Sequence, residues 1–538
     1  MTKTLLTLAA VALTAISPIA QARVDELPSA VLQPDEAACA GDETNIVNLF
    51  QREWRAKSCV LLYGGFSEIS GSFGGILSST RNLLHLGETL SLSAEYGVRR
   101  RRIQFGFGKP SMFSGRIDTG FTVYGQRFQY NQGSESSIFA FQRDIPEFGQ
   151  FASGDLIDYV SHSYGGTAFA RYRLRRISSE VGLTYRYDVS HYTTLTGSAA
   201  DYFTDVDSQA LLPPTYYFTS FGIIVFQPGL LNRIRTGTLT PSFTRSMIDN
   251  PINPTRGTEV SVSTAIAGAG GDVNTIEPLV VVKYFRPGFK AGHVIGMRLL
   301  GRMVTGYGGN NTPPFDRYYM GGEEDIRGFD SWSISPIVYL PSRTTVDVYN
   351  ADGTQRVERV VNPNGSITFI NVTQTIPSYQ IVSAGGDTNV VMNLEYRIPI
   401  GGPFTLAFFT DAGVNRLTFP NQLQVSGAVL AQLNTEFPTA GFGGYARVQA
   451  GTEKPRLSNG VELQVLVPRI KAHLRFYGAY NPLEYRGIVQ PPLAIDRSMF
   501  PNDATYENAV SVVNAPIPLR ESRFMFRFSI GRTFGGGL

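Results

Sequence analysis

The regular order of short and long links between strand-like segments constrains this chain more than any other feature. From about residue 60 onward, apolar and polar residues alternate with period two, as where Leu90 and Leu92 share one face and Ser91 and Ser93 the other. Sixteen such segments lie near residues 60–70, 72–84, 89–96, 102–109, 116–130, 165–175, 178–190, 234–247, 257–268, 276–286, 293–306, 389–399, 404–416, 458–467, 472–481 and 522–534.

The links after even-numbered segments are short, whereas several links after odd-numbered segments are long. A bacterial outer-membrane barrel has an even number of strands, short periplasmic turns and longer outer loops. The sequence therefore predicts an all-β fold, a transmembrane antiparallel β-barrel of about 16 strands in the bacterial outer membrane. The short links are residues 85–88, 113–115, 175–178 and 401–403, and the long links are residues 131–163, 191–233, 307–388, 417–440 and 482–521.

A sheet that spans a membrane must close on itself, because unpaired backbone groups in hydrocarbon cost several kcal/mol each. We therefore expect the last segment, which carries an aromatic residue near its end at Phe534, to pair with residues 61–68. Gly64, Gly65 and Gly531 lie in this seam and would weaken it, since glycine offers no side chain to pack. These glycines could instead relieve local crowding.

The first residues have the pattern of a secretory signal peptide. Lys3 precedes an apolar stretch over residues 5–16, and residues 20–22 form an A-x-A cleavage site. We expect a signal peptide over residues 1–22, a short periplasmic segment over 23–58 and the barrel over 59–538. Cys39 and Cys59 are the only cysteines, and they either form a disulfide bond or remain two free thiols.

Several functions are disfavoured by the sequence. The five histidines are scattered without metal-ligand spacing, and the glycine-rich stretches lie on strands rather than at strand-to-helix turns, so we expect no enzyme, no metal and no cofactor. A net charge of +3 does not favour a nucleic-acid partner. We expect outer-membrane lipids as partners of the barrel.

Three motifs carry a specific resemblance. The first is a loop with a glycine pair followed by Ile-Arg-Gly-Phe, the second is F-x-D-x-G, and the third is a strand with one acid. They resemble motifs of the BamA/TamA-type outer-membrane assembly family, also called the bacterial surface antigen family, over about residues 60–538. The residues concerned are Gly321, Gly322, Ile326, Arg327, Gly328 and Phe329 in the loop, Phe409, Asp411 and Gly413 in the second motif, and Glu395 in the third.

The resemblance implies that the outer loop folds back into the barrel and that Arg327 engages Asp411 and Glu395, an arrangement that we call the loop lock. Strand alternation agrees, because Asp411 cannot reasonably face lipid and so faces the lumen. A planar guanidinium is suited to a bidentate carboxylate pair. The alternative is an ordinary salt bridge that only stiffens the barrel. A hairpin-like insertion of unassigned purpose is expected over residues 346–372 in the same link.

The resemblance also implies a function in inserting or translocating outer-membrane proteins through the weak seam. Family members normally carry periplasmic POTRA modules, for which residues 23–58 are too short. Unfolded outer-membrane clients and a separate POTRA-bearing or accessory protein are therefore the expected partners. The alternatives are a passive channel or structural pore without insertase activity, and an adhesin that uses the outer loops.

Overall fold

The computed structural model of the protein describes the strands and most of the links between them. Residues 1–46, with the predicted signal peptide and Cys39, lie outside the described part, as do Gly531 and Phe534 of the predicted seam. The described ranges are 47–54, 58–67, 71–112, 116–130, 159–193, 216–219, 222–225, 233–250, 253–313, 316–323, 325–361, 366–419, 423–425, 427–467 and 472–530.

The first part of the chain, up to residue 306, is entirely strands and turns apart from one 3-10 turn, Arg175–Ile177, among the residues described there. Its strands are β1 (Val47–Trp54), β2 (Ser58–Ser67), β3 (Gly71–Arg81), β4 (Thr89–Gly97), β5 (Arg100–Ser111), β6 (Ile117–Tyr130), β7 (Tyr159–Leu174), β8 (Ser179–Thr193), β9 (Tyr216–Thr219), β10 (Gly222–Val225), β11 (Ile234–Ser246), β12 (Gly257–Gly271), β13 (Thr275–Pro287), β14 (Val294–Met303) and β15 (Thr305–Gly306).

The second part adds two helices to the strands, α1 (Gly427–Glu436) and α2 (Asp503–Val513), and a 3-10 turn, Arg497–Met499. Its strands are β16 (Ile337–Asp347), β17 (Val357–Val361), β18 (Ile367–Asn371), β19 (Thr373–Ser383), β20 (Thr388–Gly401), β21 (Phe404–Arg416), β22 (Arg447–Val448), β23 (Arg456–Val467), β24 (Ala472–Tyr480), β25 (Arg486–Val489), β26 (Ile517–Arg520) and β27 (Phe524–Ile530). Among the described residues, neither helix is long and apolar enough to cross a membrane.

One antiparallel sheet contains 18 strands. Apart from β1 and the two-residue β15, its strands are the sixteen that the alternation predicts, and each pairs with the next in chain order. The predicted antiparallel barrel architecture is thus confirmed. The sixteen are β2 to β8, β11 to β14, β20, β21, β23, β24 and β27.

The two faces of the barrel strands differ as the alternation predicts. On β20, Met392 and Leu394 are exposed, whereas Asn393 and Glu395 between them are buried. On β27, Phe524, Phe526 and Phe528 are 72%, 74% and 52% exposed. A strand that separates lipid from a polar lumen needs an apolar outer face and a polar inner face.

The three longest described links follow β14, β21 and β24, and they pack against one another at one end of the barrel. β16 pairs with β19 and β22, so residues from two different links share one small sheet. Its residue Val346 packs with Ile376 and with Ala509 and Val513 of α2. The side chain of Asn502 accepts a hydrogen bond from the Thr505 backbone N–H and caps α2.

β17 and β18 form an antiparallel pair within the predicted insertion. Its side chains are largely exposed, including Val357, Val361 and Phe369. The sequence analysis did not predict β1, which pairs with β2 from Trp54–Ser58 to Val47–Gly64.

Candidate functional site

The loop that carries the Ile-Arg-Gly-Phe motif lies against the inner face of the barrel. Ile326 is fully buried, and together with Phe329 it belongs to an apolar cluster that includes Leu300 of β14 and Val391 of β20. Gly413 of β21 lies beneath this contact, where an added Cβ would come 2.9 Å from the Ile326 side chain. Apolar packing therefore fixes the loop at the position where its arginine meets the barrel wall.

Arg327 is enclosed by three carboxylates from three different barrel strands. Its Nε donates to Asp411 Oδ2 at 2.7 Å and its Nη2 to Asp411 Oδ1 at 2.9 Å, a bidentate pair. Its Nη1 donates to Glu395 Oε1 at 2.5 Å and to Glu462 Oε2 at 3.2 Å. The Asp411 carboxylate also accepts from the backbone N–H of Arg327, at 3.0 Å.

The charge on Arg327 follows from this arrangement. Burial opposes a charged guanidinium, but the carboxylates of Asp411, Glu395 and Glu462 outweigh that effect and raise the pKa of Arg327 well above its usual range. The guanidinium also lies 3.8 Å from the centre of the Phe409 ring. Arg327 is therefore a permanent cation in this site.

A second arginine balances the third carboxylate. Arg475 of β24 makes a bidentate pair with Glu462, with Nε–Oε1 and Nη2–Oε2 distances of 2.8 Å each. Gln464 donates to the same carboxylate at 2.7 Å. Arg327 and Arg475 thus offset part of the repulsion among the carboxylates of the site.

A further acid, Asp325, lies beside the motif. The backbone C=O of Asp325 accepts from the side chain of Asn393 at 2.7 Å, and this amide accepts in turn from Arg298 at 2.9 Å. Burial raises the pKa of Asp325 to about 6, although Arg302 and Arg298 act in the opposite direction. Asp325 is therefore the group of this loop that titrates closest to neutral pH among those with a resolved shift.

Gly328 has no space for a side chain. Its φ of 97° lies in the left-handed region, and an added Cβ would come within 2.5 Å of Ser458 Oγ and 2.8 Å of Ala479 Cβ. Its backbone C=O accepts from the side chain of Asn481, which also donates to the Ser522 C=O at 2.8 Å. Asn481 therefore connects the loop to the residues just before β27.

A second contact connects the loop to the last strand. Asp330, directly after the motif, forms an ion pair with Arg527 of β27. Met525 of the same strand packs on the cluster of Phe409, Tyr477 and Ala479. An ion pair thus joins the loop to β27 itself, and the hydrogen bonds of Asn481 join it to the residue pair just before β27.

The first and last barrel strands meet over a very short distance. β27 pairs with β24 along its whole length, from Phe524–Tyr480 to Ile530–Leu474. With β2 it pairs only at Ile530–Phe66, among the residues that the structure describes. The Phe66 ring stacks on Phe528 at 5.6 Å and covers this contact.

β1 occupies part of the same edge of β2. It pairs with residues 58–64, on the side of β2 opposite β3. Gly64 and Gly65 lie where this pairing ends, and Gly64 is opposite Val47 of β1 and Gly74 of β3. The edge of β2 that faces the seam is thus shared between β1 and β27.

The structure brings the motif residues named from the sequence into contact, but that analysis missed three of their neighbours. Glu462, Arg475 and Asn481 complete the site. The position of Glu462 between the apolar Val461 and Leu463 was a usable signal, because period-two alternation places it on the inner face.

Comparisons with known proteins agree with this architecture. A model of the Omp85 superfamily domain matches residues 82–534. The outer membrane protein assembly factor BamA of Nitratidesulfovibrio vulgaris is 35% identical over 96 residues, which are 18% of this chain and only 12% of that relative.

Two solved structures are similar. The crystal structure of BamA from Haemophilus ducreyi lacking POTRA domains 1-3 matches 92% of this chain and 77% of that chain, with a TM-score of 0.52 and 14% identity, which shows a shared fold. CdiB from Acinetobacter baumannii matches 88% of this chain and 59% of that chain, with a TM-score of 0.41 and 12% identity.

Proposed function

We propose that this chain, which belongs to the Omp85 superfamily and is an outer-membrane protein, helps other β-barrel proteins to insert into the outer membrane through the seam between β27 and β2. The observation that carries this proposal is the single residue pair, Phe66–Ile530, that joins the first and last strands within the described part of the chain. Each other neighbouring pair of barrel strands shares a long ladder. The seam is thus the place where the barrel opens at the lowest cost.

An open seam would present backbone edges to a client. Unpaired N–H and C=O groups on a strand edge can template an added strand, a mode of recognition called β-augmentation. The part of β27 from Phe524 to Phe528 has no partner on the side of β2 among the described residues. A nascent strand would pair there first, with its apolar side chains beside the exposed phenylalanines and the lipid.

The loop lock would control this opening. Since Asp330 and Asn481 join the loop to β27, the lock at Arg327 also restrains the last strand. Release of the loop would loosen β27, whereas a locked loop would keep the seam shut. We propose that clients shift this balance by binding the freed edge.

β1 would guard the other edge. It covers β2 at residues 58–64, so a client strand that adds to β2 must first displace it. Delivery of clients by a separate periplasmic protein with POTRA modules is part of the same proposal.

Reconstitution tests the function. The full chain in liposomes should accelerate folding of an unfolded outer-membrane barrel protein relative to empty liposomes. A disulfide staple across the seam, Phe66→Cys with Ile530→Cys in a background of Cys39→Ser and Cys59→Ser, should abolish that acceleration until it is reduced. These two positions face each other in the backbone register.

The matched control places the same staple elsewhere on the barrel. Val461→Cys with Gly478→Cys joins directly opposed positions of β23 and β24, away from the seam. This variant should stay active when oxidised. If the seam staple leaves client folding fast, or if the unstapled chain only conducts ions, the insertase proposal is wrong and a passive channel takes its place.

A further inference from the structure

A row of one tyrosine and four basic side chains crosses five neighbouring strands on the outer surface of the barrel. Tyr96 of β4 is directly opposite Arg101 of β5, and Arg101 is opposite Arg127 of β6. Arg127 is opposite His162 of β7, and His162 is opposite His191 of β8. The five residues therefore lie side by side in register across the sheet, and we call them the basic row.

The basic row faces away from the lumen. Tyr96 is 67% exposed, and Arg101 and His162 are exposed as well. Their neighbours along the strands, such as Phe128 and Ser161, are buried on the inner face. The row thus points towards whatever surrounds the barrel.

The links between the strands show on which side of the barrel the row lies. Arg127, His162 and His191 lie near strand ends that lead to long links, which mark the outer side of a bacterial barrel. Tyr96 and Arg101 flank the short turn between β4 and β5 on the same side. The next outward-facing positions towards the membrane are apolar or aromatic, with Ile103, Tyr164 and Val189 in one row. The row after that comprises Leu92, Phe105, Val123, Gly166 and Tyr187. Arg101 and Arg127, on adjacent strands, therefore border apolar outward-facing positions on the outer side of the barrel.

The two arginines of the row have no acidic partner in the described part of the chain. Arg127, His162 and His191 form no ion pair there, and Arg101 stacks on the Tyr96 ring at 4.4 Å. The adjacent residue Arg100 pairs instead with Glu95 at 2.7 Å. Two arginines directly opposite each other repel, so an anion bound between Arg101 and Arg127 would relieve that repulsion.

We propose that the basic row binds the phosphate group of a lipid in the outer leaflet. Arginine side chains bind phosphate through paired, charge-assisted hydrogen bonds, and two of them a single strand apart can grip one phosphate from both sides. The apolar rows beneath would contact the acyl chains of the same lipid. This contact with both parts distinguishes a lipid from a free phosphate ion, and the inference is independent of the proposed function.

Lipid binding by the full chain tests this inference. The protein in phosphatidylcholine nanodiscs that contain a small fraction of lipid A should retain lipid A through purification, as measured by mass spectrometry. Lipid A from which the phosphates have been removed should be retained much less. This comparison needs only the wild-type chain, so it stands even if a variant fails to fold.

Variants locate the site. Arg101→Gln with Arg127→Gln should weaken lipid A binding about tenfold or more, because charge-assisted hydrogen bonds to the phosphate are lost. The matched control, Arg245→Gln with Arg286→Gln, removes two exposed arginines at the strand ends that lead to short links. The control variant should bind as the wild type does.

Three results would overturn the inference. Equal retention of lipid A with and without phosphate would mean that the arginines only reach towards water. Equal loss in both double variants would mean non-specific attraction. Complete competition by millimolar inorganic phosphate would mean that the row binds the ion and not the lipid.

Discussion

Replacement of Arg327 by alanine should destabilise the barrel strongly, because it leaves three buried carboxylates without their shared cation. The side chains of Asp411, Glu395 and Glu462 are fully buried. Among the described residues, only Glu462 of the three forms an ion pair with a second arginine, Arg475. Removal of one partner from a buried ion pair costs about 3–5 kcal/mol. We expect Arg327→Ala to lower the free energy of unfolding by about 4 kcal/mol.

A double-mutant cycle isolates the pair. Asp411→Asn removes the charge that takes two of the guanidinium hydrogen bonds, so Arg327→Ala should cost less in that background. The coupling free energy should be about 2–3 kcal/mol. Arg327→Lys should fall between the wild type and the alanine variant, since it keeps the charge but loses the bidentate geometry.

The chain carries a suitable reporter for this measurement. It has 2 tryptophans, and Trp332, shortly after the motif, is buried and packs on Phe128 with a ring separation of 6.5 Å. In a Trp54→Phe background, urea unfolding of the reconstituted chain followed by fluorescence would therefore report on the docked loop and its surroundings.

The control is an equally buried arginine with a different partner. Arg456 pairs with Glu521 at 2.8 Å and shares no carboxylate with Arg327. Arg456→Ala should therefore be additive with Asp411→Asn to within about 0.5 kcal/mol. If Arg327→Ala is also additive with Asp411→Asn, the loop lock does not exist as an energetic unit.

Three further predictions follow from the same loop. Gly328→Ala should abolish loop docking, seen as a red shift of Trp332 emission. Gly353→Ala, also at positive φ but with open space, should cost only about 1–2 kcal/mol; equal effects would contradict the packing argument. The raised pKa of Asp325 adds stability that is complete below pH ~4 and is lost as the pH rises through about 6. Between pH 5 and 7.5 the wild type should therefore lose on the order of 1 kcal/mol of unfolding free energy relative to Asp325→Asn. Urea unfolding at both pH values measures this loss, and a constant difference between the two proteins would refute it. Arg527→Gln should speed hydrogen exchange in β27 while exchange in β7 stays unchanged, and unchanged exchange in β27 would show that the Asp330 contact does not restrain it.

The barrel was predictable because its strands obey one local rule. In a strand that separates lipid from a polar interior, apolar and polar residues must alternate one by one, as at Met392, Asn393 and Leu394. This alternation is visible in the sequence itself. The bounds of β20 and β21 were within one or two residues of the prediction for the same reason.

The packed outer links were not predictable in the same way. β16 and β22 pair although about a hundred residues separate them in the sequence. α2 packs on β16 through contacts that no local sequence pattern predicts. Such contacts depend on the arrangement of several links at once. For the same reason the sequence named Arg327 with two of its carboxylates but not the bridge from Asn481 to Ser522.

β1 also bears on the order in which the chain assembles. The hairpin β1–β2 joins neighbours in sequence and so can form quickly, whereas the Phe66–Ile530 contact brings the two ends of the barrel together and must pay the entropy of closing a very long loop. Until β27 arrives, β2 would otherwise be a bare edge and a site for aggregation. Because β1 directly precedes β2 in the sequence, it can cover that edge early in folding, before the other barrel strands have formed.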